Sequence, residues 1–212
     1  VKAIKSWKDE YFEKNVTESI ARAYYDGDWQ KHPYDETTDP KYNPWDPDKK
    51  YSWVKAPRFD GKPMQVGPLS QVLVGYALGD ERIIRWSNKC LEIAGKVAGA
   101  KLSPAVLHST LGRIAARSIR AAALSEIVLK HWGLLAANIG KGDTAVYVEP
   151  KFPSGTVKGY GVHEAPRGVL SHWVVIENGK IKNYQAVVPS TWNAGPRDAK
   201  DQAGPYDASL IG

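Results

Sequence analysis

The chain has 212 residues with an apolar fraction of 42%, enough for one sizeable domain or two small ones. Its formal charge of +6 is scattered among acidic residues, as in Asp46-Pro-Asp-Lys-Lys50, with no basic stripe interleaved with aromatics, so a nucleic-acid partner is not indicated. No run of about eighteen uncharged apolar residues occurs, which argues against a direct membrane span. Cys90 is the only cysteine, so neither an intrachain disulfide nor a thiolate metal cluster can form within the chain. It sits on an amphipathic stretch, Trp86–Ile93, and reads as a buried structural thiol. The N-terminus, Val1-Lys-Ala-Ile-Lys-Ser-Trp-Lys8, lacks Met and the apolar core of a secretory signal, and reads as a processed or truncated end.

Three zones follow in chain order. Residues 1–65 are rich in Trp, Tyr, Pro and Asp, with turn signals at Thr38-Asp-Pro40, Asn43-Pro44, Asp46-Pro47 and Asp60-Gly61. This zone predicts an ordered wrapping segment with one short helix from Asn15 to Tyr25, capped by Asn15 or Thr17. Residues 66–142 show the helical period. One helix starts with Pro68 in its first turn, a break falls at Gly79-Asp80, and a second runs from about Asp80 to Ala98. A long third follows Ser103-Pro104, with apolar residues spaced at threes and fours from Leu107 to Leu135 and alanines that allow close packing in a bundle. Residues 143–212 switch to a period of two. Thr144–Val148, Ser171–Ile176 and Ile181–Val188 read as strands, with Asn178-Gly179 as a hairpin turn. The expected fold is therefore α+β: a helical bundle with long central helices, then a small antiparallel sheet carrying functional turns, all in one globular unit.

The candidate chemistry concentrates in Gly161–Trp173 and Val187–Asp198, where prolines stand beside polar or charged side chains on turns flanked by strand residues. Arg167, braced between Pro166 and Gly168, reads from the residues alone either as a cation aimed at a ligand or as a surface arginine paired with Glu164. His163 and His172 flank the same turn without the further partners a metal site needs, which favours a packing or hydrogen-bonding role. His108, on a helix face near Arg113 and Arg117, reads as a structural hydrogen-bonding residue. Glu18, Glu126 and Glu164 are possible acids or bases, but nothing pairs any two of them at a catalytic separation. Gly140-Lys-Gly-Asp-Thr144 lacks the spacing and strand–loop–helix setting of a phosphate loop, and no nucleophile elbow is present.

Read together, Tyr51-Ser-Trp-Val-Lys-Ala-Pro-Arg58, Val66-Gly-Pro-Leu69, Leu111-Gly-Arg113 with Ala116-Arg117, Glu164-Ala-Pro-Arg-Gly168, Val187-Val-Pro-Ser-Thr-Trp-Asn193 and Gly195-Pro-Arg-Asp198 resemble the large, catalytic subunit of nickel–iron hydrogenases over nearly the whole chain. The closest flavour is the respiratory uptake type. The family holds nickel and iron through two cysteine pairs near the ends of the subunit, and the resemblance implies that this chain begins after the first and stops before the second. It would then be a fragment, a truncated piece or one part of a split subunit, lacking the thiolates for the metals.

The resemblance further implies the following roles. Arg167, with Pro166, lies over the open face of the Ni-Fe centre as the catalytic turn. Ala165, Leu170, Val188 and Pro189 line the pocket around iron's carbon monoxide and cyanide ligands together with Pro166, and Ser190 and the Arg167 region donate hydrogen bonds to the cyanides. The backbone carbonyl of Ala186 is a ligand to magnesium, and Lys55 belongs to the water network near that ion. The implied reaction is heterolytic cleavage of H2, with electrons passed to the iron–sulfur clusters of a small subunit in the periplasm or on a membrane facing it. Arg167 fits an electrostatic and orienting role better than that of a base, because a guanidinium holds its proton far above neutral pH. The competing readings are a non-catalytic fragment, a hydrogen-sensing relative, and the related quinone-binding subunit of respiratory complex I. The intact Glu164–Gly168 and Val187–Asn193 motifs speak against the last.

Overall fold

A computed structural model describes residues 10–211. They fall into two compact units, one formed by 68–151 and the other by 10–67 with 152–211.

The discontinuous unit holds two three-stranded sheets. After α1 (Glu10–Asn15), the first is built from β1 (Val16–Ser19), β2 (Gln30–Lys31) and β3 (Ala56–Phe59), with β1 central and antiparallel to both neighbours, Val16 opposite Phe59 and Ser19 opposite Ala56 and Gln30. The helix expected over Asn15–Tyr25 is therefore displaced: helix ends where it was predicted to begin. β-branched Val16 and Thr17 suit a pleated ladder, and pairing on both edges of β1 outweighs the local capping signal.

Within the second unit, α2 (Pro68–Ala77), α3 (Glu81–Ala98) and α4 (Thr110–Gly140) form the expected bundle, with a 3-10 turn over Pro104–His108. The break at Gly79-Asp80 works as predicted, because the Asp80 carboxylate caps α3 by accepting from the backbone N–H groups of Arg82 and Ile83. Ser109 caps α4 through Gly112. A Cβ on Gly112 would lie 2.4 Å from the Leu107 Cα, so this glycine lets the helix start press directly on the preceding turn. The core joins Leu69, Val72, Leu107, Ala116 and Ile119, and Cys90 is half-buried beside it. Past Ala123 the residues of α4 are mostly exposed, Leu129 and Trp132 included. No helix among the described residues is long and apolar enough to cross a membrane.

The second sheet of the discontinuous unit is a meander of β4 (Thr156–Ala165), β5 (Gly168–Glu177) and β6 (Lys180–Val187). The strand expected at Thr144–Val148 is absent: that stretch forms no ladder with any described residue, and Val146 is fully exposed. β4 takes its place in the sheet. Its Gly159 and Gly161 weaken the alternation that marks a strand, and pairing along ten residues of β5 overrides that weakness. On β5, Ser171, Trp173 and Val175 face inward, and on β6 Gln185 and Val187 do. Trp173 anchors the core, stacked 4.9 Å from Tyr160 and met edge-on by Tyr34 and His32, with Val16, Val187 and Trp192 around it. The chain ends in two short helices, α5 (Pro189–Ala194) and α6 (Pro205–Leu210).

Candidate active site at one end of the meander sheet

β4 and β5 are joined by Pro166 and Arg167 alone, with Ala165 opposite Gly168 across the ladder. Gly168 adopts φ +128°, a left-handed conformation that disfavours any side chain. A Cβ there would stand 2.6 Å from the Val66 side chain and 2.7 Å from the Gly67 nitrogen. Gly67, at φ +123°, returns the constraint, since its own Cβ would lie 3.0 Å from the Arg167 carbonyl oxygen. Two glycines thus let two backbones touch behind the arginine.

The Val66 backbone is held in turn by Asn193. The Val66 N–H donates to Oδ1 at 3.0 Å, and Nδ2 donates to the Val66 carbonyl at 2.9 Å. Asn193 belongs to α5, which opens with Val188 extended at the cap position and Pro189 at the first helical position, where its missing N–H is harmless. β5 and β6 close the circuit, with Ser171 opposite Val187. The two proline-bearing segments are therefore tied together at one end of the sheet by Val66–Gly67 and by the β5–β6 ladder.

The structure gathers the residues singled out from sequence at this end. Pro166, Arg167 and Ser190 are exposed, Val188 is 38% exposed, Ala165 and Leu170 are half-buried, and Pro189 is buried. Ala186 lies on the outward face of β6 opposite His172. His163 stands opposite Leu170, and His172 bonds the Tyr184 hydroxyl, an ordinary structural use of the ring. No group of three or more His, Cys, Asp or Glu able to hold a metal occurs among the described residues. Glu126, in the helical unit, is occupied by Arg85 at 2.6 Å and by the Trp86 indole, hydrogen bonds that hold its carboxyl below the usual range.

The burial and pairing of two polar features of the same unit were not legible in the sequence. Arg58 is fully buried and pairs with buried Asp198, Nε to Oδ2 at 2.6 Å, while its other nitrogens donate to the carbonyls of Pro57, Pro196 and Gln202. Asp198 also accepts from the backbone N–H groups of Lys200 and Gln202, so both charges are satisfied. This pair ties β3 to the stretch that follows α5. The second feature is a cluster around Lys55, whose ammonium bonds Glu36, lies 3.4 Å from a Glu18 oxygen and donates to Gln185 Oε1 at 3.2 Å. The Tyr25 and Trp29 rings flank the same ammonium. Burial pushes the Glu36 carboxyl up to about 9, with the charge of Glu18 adding to it, and burial raises Glu18 as well. Burial alone would lower Lys55, but the two carboxylates more than offset that and leave it raised. Of this cluster only Glu18 and Lys55 drew notice in the sequence, because Glu36 sits in a polar, proline-flanked stretch that reads as surface.

The sequence profile of the family described as nickel-dependent hydrogenase matches residues 2–212. The Hydrogenase-2 large chain of Escherichia coli K12 is 48% identical over 210 residues, covering 99% of this chain and 37% of that protein. The quinone-reactive Ni/Fe-hydrogenase large chain of Wolinella succinogenes is 41% identical over 216 residues, covering 93% of this chain and 36% of that protein. The reduced, active Ni-Fe-Se hydrogenase of Desulfomicrobium baculatum superposes with a TM-score of 0.68 at 29% identity, over 94% of this chain and 39% of that one. The chain thus spans well under half the length of the relatives it matches. With the profile covering nearly every residue, the chain belongs to the nickel-dependent hydrogenase family, and its matches are the family's large chains.

Proposed function

We propose that this chain is part of the catalytic subunit of a nickel–iron hydrogenase that cleaves H2 heterolytically in the uptake direction and works with a small subunit bearing iron–sulfur clusters. The observation that supports this most is the meeting of the Pro166–Arg167 turn and the Val188–Ser190 segment at one end of one sheet, with a guanidinium and a hydroxyl left exposed there.

The donor set fits the wall of a Ni-Fe centre and not its ligands. The only cysteine, Cys90, lies on α3 in the helical unit, so the thiolates come from other segments of the full subunit. When bound, that centre supplies the redox chemistry that splits H2. Arg167, cationic and short of conformational freedom between Pro166 and a glycine pinned by Val66, orients the substrate and stabilises charge as it develops. Ser190 offers a hydroxyl to the anionic cyanides, while Ala165, Pro166, Leu170, Val188 and Pro189 present apolar surface to the diatomic ligands and keep water out. The Ala186 carbonyl is assigned to magnesium, with Lys55 in the surrounding water network. Proton transfer away from the substrate starts on a thiolate or carboxylate elsewhere in the subunit. We assign the assembly to the periplasm or to a membrane facing it.

The test is metal content with turnover. The complete complex is expected to contain nickel and iron in equal amounts and to reduce an artificial acceptor under H2. A correctly assembled complex free of both metals would contradict the enzyme and favour a scaffold, whereas a metal-loaded complex that binds H2 without turnover would identify a sensor.

A further inference from the structure

A side chain is placed no better than the backbone that carries it, and the backbone at Arg167 is the tip of a hairpin. The β4–β5 ladder ends at the Ala165–Gly168 pair, so the tip depends on what packs behind it. That support is Val66–Gly67. A Cβ on Gly67 would lie 3.0 Å from the Arg167 carbonyl oxygen, and one on Gly168 would lie 2.7 Å from the Gly67 nitrogen. Residues 63–67 belong to no helix or strand, so the support has no ladder of its own. The Val66 side chain packs against the core around Trp173 and Trp192, but an apolar contact does not fix the orientation of a peptide.

The Asn193 amide does fix it. Its Oδ1 accepts from the Val66 N–H at 3.0 Å and its Nδ2 donates to the Val66 carbonyl at 2.9 Å, as one peptide group meets another across a sheet. A carboxamide offers an acceptor and a donor side by side; Asp lacks the donor and Leu lacks both. Asn193 is 8% exposed, so water does not readily replace either bond. Three residues before it on the same short helix stands Ser190, exposed at this end of the sheet. α5 therefore carries both the hydroxyl of one proline-bearing segment and the amide that fixes the backbone behind the other. One side chain links their positions.

We propose that Asn193 is a positioning residue: through Val66 and Gly67 it fixes the backbone of Arg167 relative to the Ser190 segment, and it affects the reaction by way of Arg167. This rests on the catalytic reading of the previous subsection. Loosening the latch lets the hairpin tip shift, and a misplacement of about 1 Å in an orienting group can cost on the order of a hundredfold in rate. A residue that merely stabilised the fold would behave differently. Its loss would reduce the amount of assembled enzyme and leave turnover per metal centre unchanged.

The test uses the complete complex with Asn193→Leu, which is similar in size and lacks both bonds, and Asn193→Asp, which keeps the acceptor for the Val66 N–H. H2 oxidation per nickel atom should fall by about tenfold or more in Asn193→Leu and by less in Asn193→Asp. In an Arg167→Lys background the leucine replacement should lower it by less than about threefold, because the side chain it positions is already gone. Hydrogen–deuterium exchange should quicken in the peptide spanning Pro166–Gly168 as well as in the one spanning 63–67. Equal fold-losses in the two backgrounds, wild-type turnover per nickel in both single variants, or unchanged exchange at the Pro166–Gly168 peptide would overturn the proposal. Should Asn193→Leu fail to assemble, Asn193→Asp carries the same comparisons. A wild-type complex that consumes no H2 would refute the catalytic reading, and exchange at the turn would then decide by itself whether Asn193 holds the Arg167 backbone in place.

Discussion

β5 runs between two tight turns of the same length, and they teach different things. At one end Asn178-Gly179 has φ values of 50° and 77°, the primed geometry that follows the twist of a hairpin. A Cβ on Gly179 would meet only the Phe152 side chain at 4.0 Å, so the glycine serves the turn and nothing else. At the other end Pro166-Arg167 is followed by a glycine whose missing side chain makes room for Val66 and Gly67, themselves fastened by Asn193. The first turn only reverses the chain. The second presses its own backbone, behind the Arg167 side chain, against a neighbouring one, and that second backbone is what makes it a candidate site.

The largest effect is expected where the pinned end is anchored. Arg58→Ala leaves Asp198 buried without its partner and should destabilise the folded subunit by about 3–5 kcal/mol, read as a drop in the denaturation midpoint. A midpoint within error of the wild type would show that the segment carrying Asn193 is held in some other way.

A direct comparison of the turns comes next. Gly168→Ala combines a disfavoured backbone conformation, about 1–3 kcal/mol, with collision against Val66 and Gly67, so it should exceed Gly179→Ala, where only the conformational strain applies. Equal losses in the two variants would mean that the close approach behind Arg167 has no energetic consequence.

A smaller effect concerns pH. Glu36 binds its proton more tightly folded than unfolded, so its contribution to stability is complete below about pH 4.3 and is lost as pH rises through about 9. The unfolding midpoint should therefore decline on the alkaline side, and Glu36→Gln should flatten that decline. An unchanged slope in the variant would show that another group sets the alkaline limit.

The contrast between the turns also explains what could be read in advance. Asn178-Gly179, the Asp80 cap, the long α4 and the alternation of β5 and β6 depend on neighbours a few residues away, and all were legible. β1 and β4 were not, because long-range pairing decided them against local signals, a capping pattern in one case and two glycines in the other. The same holds for the site. Pro166, Arg167 and the Val188–Ser190 segment stood out through their proline-braced motifs. The role of Val66–Gly67 and Asn193 in joining them, and the burial of Arg58, Asp198 and Glu36, arise only from contacts across more than a hundred residues or from burial that a polar sequence does not advertise.

The central claim is that the cation at the pinned turn acts on H2 through its charge and its fixed position. The direct measurement is H2 oxidation by the complete complex with Arg167→Lys, alongside its nickel and iron content. The lysine keeps the charge but not the planar, rigid placement, so turnover should fall by about a hundredfold or more while both metals remain at wild-type levels. Turnover near the wild-type rate in the metal-loaded variant would contradict the account.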